Sequence, residues 1–105
     1  MADGIDGVRA LLGAKARPVG WAERRARLDE VASVDPPAPD LMFTPVRIGA
    51  LPAEWSLAPG SDPARVLLYF HGGGYCSGSI RSHRGMVGAT GRAAGVRTLA
   101  LGYRL

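Results

Sequence analysis

Cysteine is nearly missing from this sequence, with Cys76 the only one among 105 residues. A single thiol excludes a disulfide framework and a structural zinc site built mainly from thiolates. No metal site is expected. Lysine is equally scarce: Lys15 stands alone among 13 basic residues, which face 9 acidic ones for a formal charge of +4. That mild excess is scattered and not interleaved with aromatics, so no nucleic-acid partner is expected. Long apolar runs are absent too, and nothing approaches the roughly 20 residues needed to span a bilayer. The N-terminus carries Asp3 and Asp6 where a secretory leader would be positive. A cytoplasmic protein with no membrane partner is the expectation.

The sequence is richer in punctuation, with 15 Gly and 8 Pro between apolar segments. Ile5, Val8, Leu11 and Leu12 recur at helical spacing before Pro18 and Gly20. A second helix is predicted from about Trp21 to Ser33, with Trp21, Leu28, Val31 and Ala32 on one face and Glu23–Arg27 as a supporting pair. For Trp21, packing against an apolar surface is the simpler role. Proline lacks an amide donor and restricts the residue before it, so Asp35–Asp40 is an extended linker. It divides residues 1–40 from residues 41–105.

After the linker, Phe43–Ile48 and Ala53–Ala58 read as strands around a turn, and Pro59–Pro63 as a surface turn. Arg65–Phe70 is a nearly continuous apolar run, as expected of a strand covered on both faces. It leads directly into His71-Gly72-Gly73-Gly74. A helix fits Ser82–Ala94, with Ser82 as N-cap, Gly95 beyond the end, and Met86, Ala89, Thr90 and Ala93 facing inward. Val96–Tyr103 closes the chain as a buried strand. Strand, glycine-rich turn, helix, strand is a crossover unit with parallel strands, and the fold class is α/β.

Three chemistries use such a turn. A P-loop requires a lysine where Ser79 stands, although Gly73 and Gly78 have its glycine spacing. A dinucleotide fingerprint requires a third glycine where Ser77 stands. No cofactor is therefore expected. An oxyanion hole requires only backbone N–H groups aimed at a developing negative charge, and adjacent glycines leave that oxygen unobstructed.

The run Val66–Ser79 with its His71-Gly72-Gly73-Gly74 turn, Ser82-His83-Arg84 and the closing Gly102-Tyr103-Arg104-Leu105 resembles the hormone-sensitive-lipase-like family of α/β-hydrolase esterases. The resemblance covers about residues 41–105. It implies an incomplete α/β-hydrolase fold: the first strands of the mixed central sheet and one crossover helix, preceded by N-terminal cap helices. In the family's sheet the fourth strand lies between the second and third, and a fifth covers the third. It also implies residue roles. Gly73 and Gly74 would supply oxyanion-hole N–H groups, Gly72 would allow the turn and His71 would hold it. Tyr75 would line an acyl or alcohol pocket or merely pack the turn, and Cys76 would be an inert buried thiol. The substrate would be a small-molecule ester with a short acyl group.

Two departures stand out. Gly102 occupies a position where the family usually has an acidic residue. The family's nucleophile lies in a G-x-S-x-G elbow, followed by an acid and a His. Ser56, Ser61, Ser77, Ser79 and Ser82 all lack the flanking glycines. Ser82 and His83 are helix neighbours expected to point to different sides. The sequence ends where family members continue into Ala-Pro-Glu. An N-terminal part of a serine ester hydrolase, inactive alone, is the first expectation. The alternative is a non-catalytic module that binds an acyl ligand or a protein, with self-association through the apolar edge of Val66–Phe70.

Overall fold

The computed structural model describes residues 4–34 and 36–105. Asp35, the first residue of the expected linker, lies outside the described residues, as do residues 1–3. Chain order is α1 (Gly4–Ala14), α2 (Trp21–Ala32), β1 (Met42–Ile48), β2 (Leu51–Leu57), β3 (Asp62–Phe70), α3 (Ile80–Ala94) and β4 (Val96–Leu101).

The four strands form one mixed sheet in the order β1-β2-β4-β3. β1 pairs antiparallel with β2, β2 antiparallel with β4, and β3 parallel with β4. A parallel pair cannot be joined by a tight turn, and α3 supplies the crossover. The fourth strand therefore sits between the second and third, as the family resemblance implies.

The sheet's register fixes what each face does. Thr98 pairs with Ser56 across β4 and β2. Both side chains are buried, and their hydroxyls hydrogen-bond to each other, so neither polar group is left without a partner. Ala53, Ala58, Val87, Leu99 and Ala100 complete a core of mostly small side chains. Glycines let α3 lie close to that core. A Cβ at Gly91 would stand 2.5 Å from Thr98 Cγ2, and one at Gly88 would stand 2.5 Å from Leu41 Cδ1. The inward face of α3 is thus Val87, Gly88 and Gly91. The expected face of Met86, Ala89, Thr90 and Ala93 is rotated away from it, and Met86 is exposed.

Three other expectations change. The N-cap of α3 is Ser79, whose side chain accepts from Ser82 N at 2.9 Å while Ser82 Oγ accepts from Ser79 N at 2.9 Å. Ser82 is therefore the third residue of a reciprocal capping box. β3 is an edge strand rather than one covered on both faces: Leu67 and Tyr69 are half-buried, whereas Val66, Leu68 and Phe70 are exposed. The apolar run reads the same for a covered strand and for one with a bare face. In α2 no residue is buried, and Trp21 lies in the open beneath the Arg24 guanidinium, 5.0 Å from the ring centroid. Arg27 donates to the Leu12 and Ala16 carbonyls at 2.6 and 3.0 Å, tying α2 to the end of α1.

Candidate functional site

The turn between β3 and α3 is built around one carbonyl. Gly73 O accepts from Cys76 N at 3.3 Å, Ser77 N at 3.1 Å and Ser77 Oγ at 2.8 Å. Cys76 Sγ lies 3.6 Å from the same oxygen, and the thiol is half-buried rather than fully enclosed. The loop reaches this shape through a run of left-handed backbone, with φ of 145° at Gly73, 64° at Gly74 and 67° at Tyr75. Tyr75 is the only non-glycine with positive φ among the described residues. That conformation is uncommon for a bulky side chain and is a mark of a backbone held by its surroundings. The N–H groups of Gly73 and Gly74 are not among the donors that close the loop. They are the groups assigned to an oxyanion by the family resemblance.

His71 sits beneath the loop, 4% exposed. Its Nδ1 lies 3.0 Å from Gly72 O, and because a carbonyl only accepts, this nitrogen carries the proton. Tyr103 stacks on the imidazole, with centroids 4.3 Å apart and planes 12° from parallel, and its hydroxyl donates to His71 O. The segment following β4 therefore braces the segment following β3. Gly78 makes this possible: a Cβ there would fall 2.2 Å from Gly72 O and 2.5 Å from His71 Nδ1. Helix α2 ties down the far side of the turn, where Arg25 Nε donates to Cys76 O at 2.8 Å and Ser79 Oγ donates to Asp29 at 2.5 Å.

Behind the loop is a cleft of about 440 Å³ lined by His71, Gly102, Tyr103, Glu54 and Arg84. Arg84 clamps Glu54 through two bonds of 2.8 and 2.9 Å, and this hydrogen-bonded pairing raises the arginine's pKa above its ordinary value. Gly102 N donates to Pro52 O at 2.8 Å. A Cβ at Gly102 would be 3.0 Å from Pro52 Cγ and 3.2 Å from Pro52 O, so glycine suits the tight crossing of these two segments.

Ser82 Oγ and His83 Nδ1 are 2.8 Å apart, so the expected divergence of these neighbours does not hold. Nδ1 lies one bond beyond the ring's attachment carbon, far enough for the imidazole to reach back to the preceding hydroxyl. That hydroxyl also lies 3.1 Å from Ser79 O and belongs to the cap of α3. Burial, and then the nearby His71, lower the pKa of His83 and favour its neutral form. Tyr75 is 93% exposed, so it does not pack the turn. The resemblance gave no roles to Ser77, Gly78, Tyr103, Arg25 or Asp29. Ser77 and Gly78 carried a local hint through their place in a glycine-rich turn, and Tyr103 through the closing motif of the resemblance. Among the described residues no group of three or more His, Cys, Asp or Glu could hold a metal ion. No helix among them is long and apolar enough to cross a membrane.

Residues 67–105 match a family described as the α/β hydrolase fold. An acetyl-hydrolase of Streptomyces hygroscopicus is 49% identical over 59 residues, which is 56% of this chain and 19% of the relative. An ethyl acetate hydrolase of Pseudomonas putida is 42% identical over 69 residues, 63% of this chain and 22% of the relative. The crystal structure of an esterase from the bacterial hormone-sensitive lipase family superposes with a TM-score of 0.83 at 34% identity. That match covers 100% of this chain and 37% of the esterase. The chain thus spans about a fifth of these two curated relatives.

Proposed function

This chain is part of a hormone-sensitive-lipase-like α/β hydrolase, and from that premise we propose that it supplies the oxyanion side of a carboxylic-ester hydrolase site acting on short acyl esters. Attack on an ester carbonyl moves negative charge onto its oxygen. Gly73 and Gly74 N–H donate to that oxygen, and because the loop is held before substrate arrives, little reorganisation opposes the charge as it forms. One such donor is worth about 3–4 kcal/mol in the barrier. His71, Tyr103 and Ser77 touch neither substrate nor nucleophile and act by holding the loop. Tyr75, projecting from it, lines the acyl or alcohol side. The names of the two curated relatives, acetyl-hydrolase and ethyl acetate hydrolase, support small esters.

The observation that carries this reading is the division of labour at the loop: its carbonyl at Gly73 is saturated while its adjacent N–H groups are left out of the closing bonds. Titration of the ¹⁵N-labelled chain with butylphosphonate, a tetrahedral anion, tests it. The amide signals of Gly73 and Gly74 are expected to move more than those of the other loop residues, and silence at both would overturn the assignment. With no serine in an elbow, the chain alone is expected to leave p-nitrophenyl butyrate at the buffer rate. Turnover that disappears in Gly73→Pro would sink that expectation. A second reading, a binding module using the sheet edge, is favoured by the exposure of Val66, Leu68 and Phe70 on β3.

A further inference from the structure

The two N–H groups of the oxyanion loop are backed by different partners. Gly73 N–H shares a planar peptide with Gly72 O, which accepts from His71 Nδ1 at 3.0 Å. Gly74 N–H shares one with Gly73 O, which accepts from Ser77 N at 3.1 Å. Ser77 N–H in turn shares a peptide with Cys76 O, and that oxygen accepts from Arg25 Nε at 2.8 Å. Donors and acceptors therefore run in one sense from Arg25 through two peptide groups, with a guanidinium at the head and Gly74 N–H at the tail. Each bond in such a chain polarises the next, and a cation at the head adds to the partial positive charge on the last hydrogen. The cation comes from α2, a helix with no buried residue. Asp29, one turn further along α2, accepts from Ser79 Oγ at 2.5 Å and is thereby engaged at the cap of α3. Arg25 itself is in no ion pair among the described residues.

We infer that Arg25 is a positioning residue for the ester site, fixing and polarising the Gly74 N–H through two peptide groups without touching substrate. The inference rests on the oxyanion-loop reading for what that N–H meets. It gives α2 a part in the chemistry, which that reading leaves open. Gly73 N–H lies outside the chain, so the two donors respond unequally to a change at residue 25. Arg25 is exposed, and salt screens its direct pull on a distant anion. Salt does not break the chain, because contacts of 2.8 and 3.1 Å leave no room for an intervening ion.

The test titrates the ¹⁵N-labelled chain with butylphosphonate and compares wild type with Arg25→Gln, Arg25→Lys and Arg24→Gln. Glutamine carries its amide nitrogen at the same place along the side chain as arginine Nε, so it keeps a donor and loses the charge. Lysine keeps both. Arg24 donates to Pro18 O at 3.4 Å, so Arg24→Gln removes the same charge from the same helix away from the loop. Arg25→Gln is expected to bind the phosphonate about threefold more weakly. It should also move the Gly74 amide proton of the free chain upfield more than that of Gly73. Arg25→Lys should recover most of both effects, and Arg24→Gln should match wild type. The loss should persist in 0.5 M salt, a concentration that shortens screening to about 4 Å. Folding of the variants is checked by the unchanged amide spectrum of the sheet. Full affinity in Arg25→Gln, an equal loss in Arg25→Lys or Arg24→Gln, or a loss that salt abolishes would overturn the inference. If the Gly73 and Gly74 amides respond to the phosphonate equally in wild type and Arg25→Gln, only the role of Arg25 fails. If both amides of the wild type ignore it, the oxyanion reading fails and the Gly74 shift decides the chain: a selective upfield move in Arg25→Gln upholds the polarisation, and no move overturns it.

Discussion

At Gly78 a single hydrogen in place of a side chain lets a carbonyl and an imidazole occupy the same small volume. The φ of 92° and the 2.2 Å approach to Gly72 O leave no room for a methyl group. Gly78→Ala is expected to cost about 2–3 kcal/mol in urea unfolding, from left-handed strain and displaced backbone together. At Gly72 a Cβ meets nothing within 4 Å and φ is not in the left-handed region. Gly72→Ala should therefore change stability by less than about 1 kcal/mol, and equal losses at both positions would contradict this account. The sequence showed both residues as turn glycines and could not rank them. The difference lies in what the fold brings against each. Tyr103 illustrates the same limit: 32 positions separate it from the histidine it stacks on.

Helix α3 shows how a local pattern can place an element and still mis-set its rotation. Its glycines let it approach the sheet at Gly91, against Thr98 of β4, and the Leu41 side chain at Gly88. The inward face was misread because periodicity sought apolar side chains, whereas this contact is made by the lack of them. The two glycines should respond differently to alanine. Each substitution gains about 1 kcal/mol in helix propensity. At Gly91 the added carbon collides with Thr98, which is 0% exposed and bonded to Ser56. Gly91→Ala is thus expected to be destabilising by about 1–2 kcal/mol net, since overpacking costs more than propensity returns. At Gly88 the obstacle is the end of the Leu41 side chain, which can rotate, and Gly88→Ala should be near neutral. Thermal unfolding of the pair measures the contrast. A loss at Gly88 equal to that at Gly91 would show the helix to be pinned along its whole length. The start of α3 was displaced for a related reason. Ser79 and Ser82 are both good caps in isolation, and only the reciprocal bonds and the Asp29 contact from α2 decide between them.

Across the whole molecule, the α/β class, the parallel crossover and the place of β4 between β2 and β3 were readable from strand length, turn chemistry and the family resemblance. Exposure was not, because an apolar run does not reveal which neighbours will cover it. β3 closes one edge of the sheet, and Val66, Leu68 and Phe70 share one of its faces, 50%, 51% and 61% exposed. Contiguous apolar surface on an edge strand is a template for pairing. The chain is expected to associate with rising concentration in light scattering. Leu68→Lys should shift that onset upward at least about threefold by charging the edge. A wild-type chain that stays monomeric through millimolar concentration would remove the binding-module reading along with this expectation.

The saturated carbonyl of Gly73 has one more effect, on polarity. In a trans peptide the C=O and the following N–H point in opposite directions. Bonds that draw Gly73 O toward Cys76 and Ser77 therefore turn the N–H of Gly74 the other way, outward from the closed turn. Rotating that one peptide plane by half a turn would present an oxygen where a hydrogen is needed and convert an attractive dipole into a repulsive one. Under the proposed oxyanion role, Ser77 thus acts as a latch on the sign of the local field.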